Sequence, residues 1–271
     1  MSFTFKKIAA VGALIGAIAL AGCDQKAKDP NHIKVGVIVG AEQQVAETAV
    51  KVAKEKYGLD VELVTFNDYV LPNEALSKGD IDVNAFQHKP YLDQQIKDRG
   101  YKLAIVANTF VYPIAGYSKK IKSLDELQDG SQVAIPNDPT NLGRSLLLLQ
   151  KVGLIKLKDG VGLLPTSLDI IENPKKLKIV ELEAPQLPRS LDDQQIALAV
   201  INTTYASQIG LTPAKDGIFV EDKDSPYVNL IVSREDNKDA ENVKKFVQAY
   251  QSDEVSEAAS KIFNGGAVKG W

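Results

Sequence analysis

Arg144 lies near the start of a predicted helix that opens at residues 139–141. Backbone N–H groups at a helix start favour an anion, and a guanidinium adds two charge-assisted hydrogen bonds to a carboxylate. Arg144 is therefore a candidate carboxylate-binding residue, with Asn141 as a weaker candidate beside it. The alternative is an ordinary ion pair between Arg144 and an acidic side chain on its own surface.

Two asparagines stand at the ends of predicted strands. Asn202 directly follows the strand 196–201, and Asn229 lies just inside the strand that begins at Val228. An amide carries both a donor and an acceptor, so each asparagine can bind the amino end or the carboxylate end of a zwitterion. Asn202 has a second interpretation, in which it caps a helix or turn that follows it.

Three aromatic rings and an imidazole gather around two predicted strand-to-helix junctions. They are Tyr69, Phe86, His88 and Tyr91. Rings near strand ends are commonly plain core, but they can also line an apolar pocket, and such a pocket suits a thioether because sulfur gains from contact with rings. His88 is predicted to be a neutral hydrogen-bond partner, since no other metal ligands cluster with it.

Motifs of the common catalytic centres are absent from the sequence. It contains no G-x-S-x-G, no P-loop, no H-E-x-x-H and no C-x-x-C. Two histidines and one cysteine can build neither a closed zinc site nor an internal disulfide. The net charge of −3 is not gathered into blocks, which argues against nucleic-acid binding. We therefore expect a protein that is not an enzyme and holds no metal or cofactor.

The amino terminus has the pattern of a secretory signal peptide. Lys6 and Lys7 precede an apolar run at residues 8–22, which is too short to span a membrane comfortably. The run ends just before Cys23 and resembles the lipobox of bacterial lipoproteins. We expect removal of residues 1–22, lipidation of Cys23 and a polar tether over residues 23–30. The alternative is a chance cysteine in an ordinary secretion signal.

Asp24 follows the predicted lipidation site directly. In enterobacterial lipoproteins an aspartate at this position resembles the signal for retention at the inner membrane. We therefore expect a lipid-anchored protein on the periplasmic face of the inner membrane of a Gram-negative bacterium. The alternative is that Asp24 is ordinary linker charge.

After residue 31 the chain alternates short apolar runs with helical periods, which predicts an α/β fold with mostly parallel strands. Helices are predicted at residues 41–57, 71–78, 91–99, 123–127, 142–152 and, as more than one helix, 240–263. Strands are predicted at residues 33–39, 61–66, 81–86, 103–110, 114–117, 132–135, 177–182, 196–201, 218–220 and 228–232. The helix 142–152 has no wide polar face and should lie inside its domain. Glu42 is predicted to cap the first helix rather than to bind an ammonium group.

No repeat and no long Gly/Ser linker separates the two halves of the chain. Any division into domains must therefore be made by strands that cross from one to the other. We expect one lobe at residues 31–112 plus 224–271 and a second at residues 113–223. A cleft between such lobes, facing the carboxyl ends of strands, is the usual place for a ligand.

Three segments carry a resemblance to a known family: IKVGVIVGAEQQ at residues 33–44, FQHKPY at 86–91 and PNDPTNLGR at 136–144. The segment FNGGAV at residues 263–268 is also similar. Runs of this length are far more specific than a short motif, and the match extends over nearly the whole chain. The sequence resembles the NlpA lipoprotein family, which contains the methionine-binding lipoproteins of ABC importers.

The resemblance implies a two-lobed periplasmic-binding-protein fold, type II-like, that closes over one free amino acid. It implies a membrane-tethered monomer that captures L-methionine, and D-methionine as well, and delivers it to an ABC permease and its ATPase. Arg144 becomes the carboxylate clamp, and the four ring residues become the side-chain pocket. An alternative within the same fold is an inner-membrane lipoprotein with an envelope maintenance or interaction role and only minor methionine transport.

Overall fold

The computed structural model describes residues 29–271. The predicted signal peptide, Cys23 and Asp24 lie outside the described residues. Within residues 29–271, no helix combines the length and the apolar character needed to cross a membrane.

The described chain alternates helices and strands. The helices are α1 (Ala41–Tyr57), α2 (Leu71–Lys78), α3 (Lys89–Arg99), α4 (Pro139–Lys151), α5 (Leu187–Ser190), α6 (Thr203–Gln208), α7 (Pro213–Asp216), α8 (Glu241–Tyr250) and α9 (Asp253–Ile262). The strands are β1 (His32–Ile38), β2 (Asp60–Phe66), β3 (Val83–His88), β4 (Leu103–Val111), β5 (Ala115–Tyr117), β6 (Gln132–Pro136), β7 (Lys156–Leu157), β8 (Ile170–Glu172), β9 (Lys178–Leu182), β10 (Ile196–Ile201), β11 (Phe219–Val220), β12 (Val228–Arg234) and β13 (Val268–Lys269). Single 3₁₀ turns are at Leu124–Glu126, Ser167–Asp169 and Ala184–Gln186.

Two sheets organise the molecule. One has six strands in the order β13-β4-β12-β3-β1-β2, and the other has five in the order β11-β5-β10-β6-β9. The five-stranded sheet is built from residues 115–220, and the six-stranded sheet is built from the chain on either side of that stretch. The division into a first lobe (31–112 plus 224–271) and a second lobe (113–223) accords with these sheets and stays a proposal.

The predicted α/β class is confirmed, but the sheets are mixed, and the prediction of mostly parallel strands is wrong. β1 pairs in parallel with β2 and β3, whereas β12 pairs antiparallel with both β3 and β4. The reason lies in the return crossing. Val228 at the start of β12 pairs with Val111 at the end of β4, so the chain re-enters the first sheet where it left and must run the opposite way.

Most predicted elements are confirmed. In helix α4 the sequence explains both where the helix starts and why it is buried. Asp138 caps its N-terminus and Pro139 occupies the first turn, so the helix starts before the predicted residue 142. Leu146, Leu148 and Leu149 are buried, which confirms its place in the interior of the second lobe. The predicted helix at 123–127 is a single 3₁₀ turn. The short elements α5, α6, α7, β7, β8 and β13 were not predicted.

The six-stranded sheet has an apolar cluster on each face, the five-stranded sheet has one core, and a further cluster joins the two sheets. In this joining cluster Ile38 and Phe86 of the first lobe pack with Leu187, Ile201 and Tyr205 of the second. The Tyr69 and Tyr205 rings also meet across the boundary, with centroids 4.9 Å apart. The two lobes are therefore in direct contact, which is the arrangement of a closed cleft.

Candidate functional site

A small cavity lies between the two sheets. Its lining consists of Tyr69, Phe86, Gln87, His88, Tyr91, Tyr112, Asn141, Arg144, Asn202, Thr203, Thr204 and Asn229. All eight binding residues proposed from the sequence lie in this one lining.

The aromatic side chains form one end of the cavity. The rings of Tyr69, Phe86 and Tyr91 make a triangle whose centroids are 5.9 to 6.1 Å apart. The Tyr91 hydroxyl donates to the Tyr69 carbonyl oxygen at 2.8 Å, which fixes one ring against the backbone of the other. This end offers ring faces and edges to an apolar or sulfur-containing side chain.

His88 ends β3 and caps α3. Its Nδ1 accepts from the Tyr91 N–H at 3.2 Å, so the ring proton is on Nε2, which donates to Asn141 Oδ1 at 3.1 Å. Burial, with the positive charge of Arg144, lowers the pKa of His88 to about 3. The imidazole is therefore neutral across the physiological range, in agreement with the predicted hydrogen-bonding role.

A chain of amide hydrogen bonds crosses the floor of the cavity. Asp138 accepts from Asn141 Nδ2 with both carboxylate oxygens, at 3.1 and 2.9 Å, and this fixes the Asn141 amide. Asn141 Oδ1 in turn accepts from Asn202 Nδ2 at 2.9 Å. Asn202 Oδ1 is buried and has no hydrogen-bond partner among the described residues. A buried acceptor without a donor is costly, so this oxygen is suited to a ligand N–H.

Asn202 occupies the N-cap position of α6, but its side chain makes no capping hydrogen bond. The helix-cap interpretation therefore holds for its backbone and not for its amide. Asn229 lies in β12, and its Nδ2 donates to the Phe86 carbonyl oxygen at 3.1 Å. With Nδ2 used in that bond, the side-chain oxygen Oδ1 of Asn229 is a second acceptor at the cavity.

Arg144 is held by the segments that connect the lobes. Its Nε donates to Glu221 Oε1 at 2.9 Å, and its Nη2 donates to the Tyr112 carbonyl oxygen at 3.1 Å and to Glu221 Oε2. The guanidinium also lies 4.4 Å from the centre of the Tyr227 ring. No hydrogen bond within residues 29–271 uses Nη1. The alternative of an ion pair is therefore realised, and any ligand carboxylate would bind at Nη1.

The N-terminus of α4 departs from the sequence-based expectation. Asp138 Oδ1 accepts from the Asn141 N–H at 3.0 Å and from Thr140 Oγ1 at 2.9 Å. The prediction of free N–H groups at this helix start is therefore wrong for Asn141. An aspartate cap already neutralises the helix end, so an anion has to be bound by the guanidinium and not by the helix dipole.

The predicted capping role of Glu42 is also wrong. Gly40 is the N-cap of α1, and no side chain caps that end. Glu42 Oε1 instead accepts a hydrogen bond from Thr204 Oγ1 in the second lobe. The first turn of α1 packs against α6, so Glu42 is turned away from its own helix end and toward the opposite lobe.

Four lining residues were missed by the sequence analysis: Gln87, Tyr112, Thr203 and Thr204. Thr203 and Thr204 follow Asn202 at a strand-to-helix junction, and that position was an available signal. Tyr112 lies at the crossing between the lobes, where β4 leaves one sheet. Gln87 gave no signal of its own, because strand alternation places it on the opposite face from its neighbours Phe86 and His88.

The lining is polar but carries no carboxylate among the described residues. From residue 29 onward, no three His, Cys, Asp or Glu side chains lie close enough together to hold a metal ion. A ligand ammonium group would therefore be bound by neutral oxygens, and a ligand carboxylate by Arg144. This arrangement fits a small zwitterion with an apolar side chain.

Known proteins of one family are similar to this chain over nearly its whole length. The family model of the NlpA lipoproteins matches residues 33–271. The chain belongs to the NlpA lipoprotein family. It is 91% identical over 271 residues to the D-methionine-binding lipoprotein MetQ of Salmonella typhimurium, with 100% of both chains covered.

Solved structures of the family share this fold. The crystal structure of the methionine-binding protein MetQ has a TM-score of 0.89 and 92% identity, and the match covers 90% of this chain and 99% of that one. A nutrient-binding protein from Burkholderia cenocepacia, solved bound to methionine, has a TM-score of 0.85 and 54% identity, with 88% and 100% covered.

Proposed function

We propose that this chain is the substrate-binding component of an ABC importer, with methionine as its ligand. The observation that carries the proposal is the cavity itself, which combines a guanidinium, a buried amide oxygen without a partner and a triangle of aromatic rings. These three features match the carboxylate, the ammonium group and the thioether of methionine. Family membership supports the same conclusion, since relatives bind methionine.

The ligand would lie with its polar end between the lobes. Its carboxylate binds Arg144 Nη1 on the second lobe, and its ammonium group donates to Asn202 Oδ1 and to the Asn229 carbonyl oxygen. Its side chain extends toward Tyr69, Phe86 and Tyr91 on the first lobe. Contacts from both lobes are required, because a ligand stabilises the closed state only through its differential affinity for that state.

Capture and release need no chemistry on the ligand. The family consists of lipoproteins that bind substrates, and we infer that this chain is a binding protein and not an enzyme. Its anchor would be the lipidated Cys23, which holds it on the periplasmic face of the inner membrane. There the closed, loaded protein docks on a permease that is driven by a cytoplasmic ATPase.

Thermal unfolding tests the proposal directly. The full chain, unfolded and refolded to remove any bound ligand, is heated with L-methionine, with D-methionine and with other amino acids. A ligand at about a thousand times its dissociation constant adds about 4 kcal/mol to the free energy of unfolding. At about 2 to 4 °C per kcal/mol for a chain of this size, methionine should raise the midpoint by about 8 to 16 °C.

The comparison among amino acids is the internal control. Leucine shares the apolar bulk of methionine but lacks the sulfur, so it should give a much smaller shift. A panel with no shift for any amino acid would contradict the proposal and favour the alternative of an envelope maintenance or interaction role.

A further inference from the structure

Glu42 is a buried acid that takes no part in lining the cavity. It lies in the first turn of α1 with 2% of its surface exposed. Its carboxyl group bonds the hydroxyl of Thr204, a residue of the opposite lobe that does line the cavity. This contact therefore links the first lobe to the ligand site of the second.

The surroundings of Glu42 contain no compensating cation. No ion pair among residues 29–271 includes it, and Thr204 is the only polar side chain that stabilises its charge. The titratable groups that face it are the hydroxyls of Tyr69, Tyr112, Tyr205 and Tyr250, whose pKa values the charge of Glu42 would raise. They come from the segment before α2, the crossing between the lobes, α6 and α8. A carboxylate in this position is surrounded by neutral groups only.

Burial raises the pKa of Glu42 to about 8. The carboxyl group is therefore largely protonated at neutral pH in this closed arrangement, while its Oε1 accepts a hydrogen bond from the Thr204 hydroxyl. Separation of the lobes would take Thr204 on α6 away from Glu42 on α1 and let water reach the carboxyl group. Its pKa would then return toward the ordinary value of 4.5.

We propose that Glu42 is a positioning residue that takes up a proton when the lobes close over the ligand, so that binding and protonation are linked. This inference rests on the proposed function, because it requires a ligand that closes the cleft. The sign follows from the two states. The closed state binds the proton of Glu42 more tightly than the open state does. The free energy by which this proton favours closure is therefore complete below about pH 4.5 and is lost as the pH rises through about 8.

His88 contributes a proton change of the opposite sign. Its pKa is lowered to about 3 in the closed arrangement, against 6.5 for an ordinary histidine. Closure therefore releases a proton from His88 when the pH is below about 6.5. The two changes cancel near pH 5.5, while around pH 7 the uptake by Glu42 exceeds the release, by about 0.7 of a proton.

Calorimetry of L-methionine binding measures this exchange. The full chain, freed of ligand, is titrated in phosphate and in Tris near pH 7 and in acetate and in MES near pH 5.5, since the two buffers of each pair differ in ionisation enthalpy. Net uptake of about 0.7 of a proton is expected near pH 7 and about zero near pH 5.5. The affinity should fall about fourfold between pH 7 and pH 8.

Glu42→Gln is the decisive variant, because a glutamine keeps a hydrogen bond to Thr204 and cannot titrate. It should convert the uptake near pH 7 into a release of about 0.2 of a proton, and give a release of about 0.9 near pH 5.5. Glu47→Gln is the matched control on the same helix, since Glu47 is exposed, and it should behave like the wild type.

Each outcome separates the inference from the proposed function. A wild-type protein that gives no binding heat with methionine contradicts the function. Binding with equal heats in both buffers near pH 7, or a Glu42→Gln variant with unchanged proton uptake, overturns the inference and leaves the function standing. If Glu42→Gln fails to fold, the wild-type affinity still decides, because a value that does not fall from pH 7 to pH 8 overturns the inference.

Discussion

At the residue scale, Arg144 combines an observed ion pair with the proposed carboxylate-binding role, and the ion pair constrains how the binding role can be tested. It is 3% exposed and pairs with Glu221, which is itself mostly buried, between the two crossing segments. Removing one partner of a buried ion pair costs about 3–5 kcal/mol, because the other charge is left uncompensated. Arg144→Ala would therefore unfold part of the population and confuse loss of structure with loss of binding.

Arg144→Lys isolates the binding role. An ammonium group keeps the charge opposite Glu221 but cannot bond Glu221, the Tyr112 carbonyl and a ligand carboxylate at the same time. Loss of a charged hydrogen bond is worth about 1.5–3 kcal/mol, so methionine affinity should fall about 10- to 100-fold in calorimetry. Arg189→Lys, an exposed arginine of the same lobe, is the control. Unchanged affinity in Arg144→Lys would contradict the carboxylate-binding role.

At the scale of elements, a buried amide cluster fixes the junction between α2 and β3. Asn73 and Gln87 exchange two side-chain hydrogen bonds, at 2.8 and 2.6 Å, and Asn84 donates to Asn73 Oδ1 at 2.9 Å. Gln87 also donates to Asn84 Oδ1 at 2.9 Å. Gln87 lies between Phe86 and His88 in β3. The cluster therefore fixes the strand backbone that carries these two lining residues.

Asn73→Ala should therefore weaken both the fold and the site. Truncation leaves Gln87 Oε1 without its donor in the core and removes the acceptor that Gln87 and Asn84 share, at a cost of about 1–3 kcal/mol, and the unfolding midpoint should drop by about 2 to 12 °C. Methionine affinity should fall about tenfold as β3 shifts. Asn242→Ala removes a bond to the His32 carbonyl far from the cavity and should cost stability alone. Equal affinity in the two variants would show that the cluster is only structural.

Sequence patterns predicted the elements well where local chemistry determines them. Helix α1 has the predicted bounds because its apolar stripe ends at Gly58, which adopts the left-handed conformation that glycine favours. Sequence patterns failed where contacts between residues far apart in the chain determine the structure. The direction of β12 depends on where the chain re-enters a sheet, and the partner of Glu42 lies 162 residues away. The acceptor left free on Asn202 is likewise a product of packing that no local pattern records.

At the scale of the whole molecule, the proposed function depends on a balance between open and closed arrangements of the two lobes. One contact between the lobes lies outside the cavity. Gln208 Nε2 donates to the Val39 carbonyl oxygen at 2.9 Å, and Gly40 leaves room for this side chain, since an added Cβ would lie 3.2 Å from Gln208 Cγ. A contact of this kind changes affinity without touching the ligand, because it changes the cost of closure.

Gln208→Ala should therefore lower methionine affinity about two- to tenfold, which corresponds to the loss of one hydrogen bond of about 0.5–1.5 kcal/mol. The loss should appear as faster ligand dissociation, since the bond is made only after the lobes close. The ligand-free protein should keep its unfolding midpoint, because the open state never makes this bond. Ser207→Ala is the control, since Ser207 Oγ donates to the Thr204 carbonyl oxygen within the same helix. An equal drop of the midpoint with and without methionine would mean that the lobes stay closed in the absence of ligand.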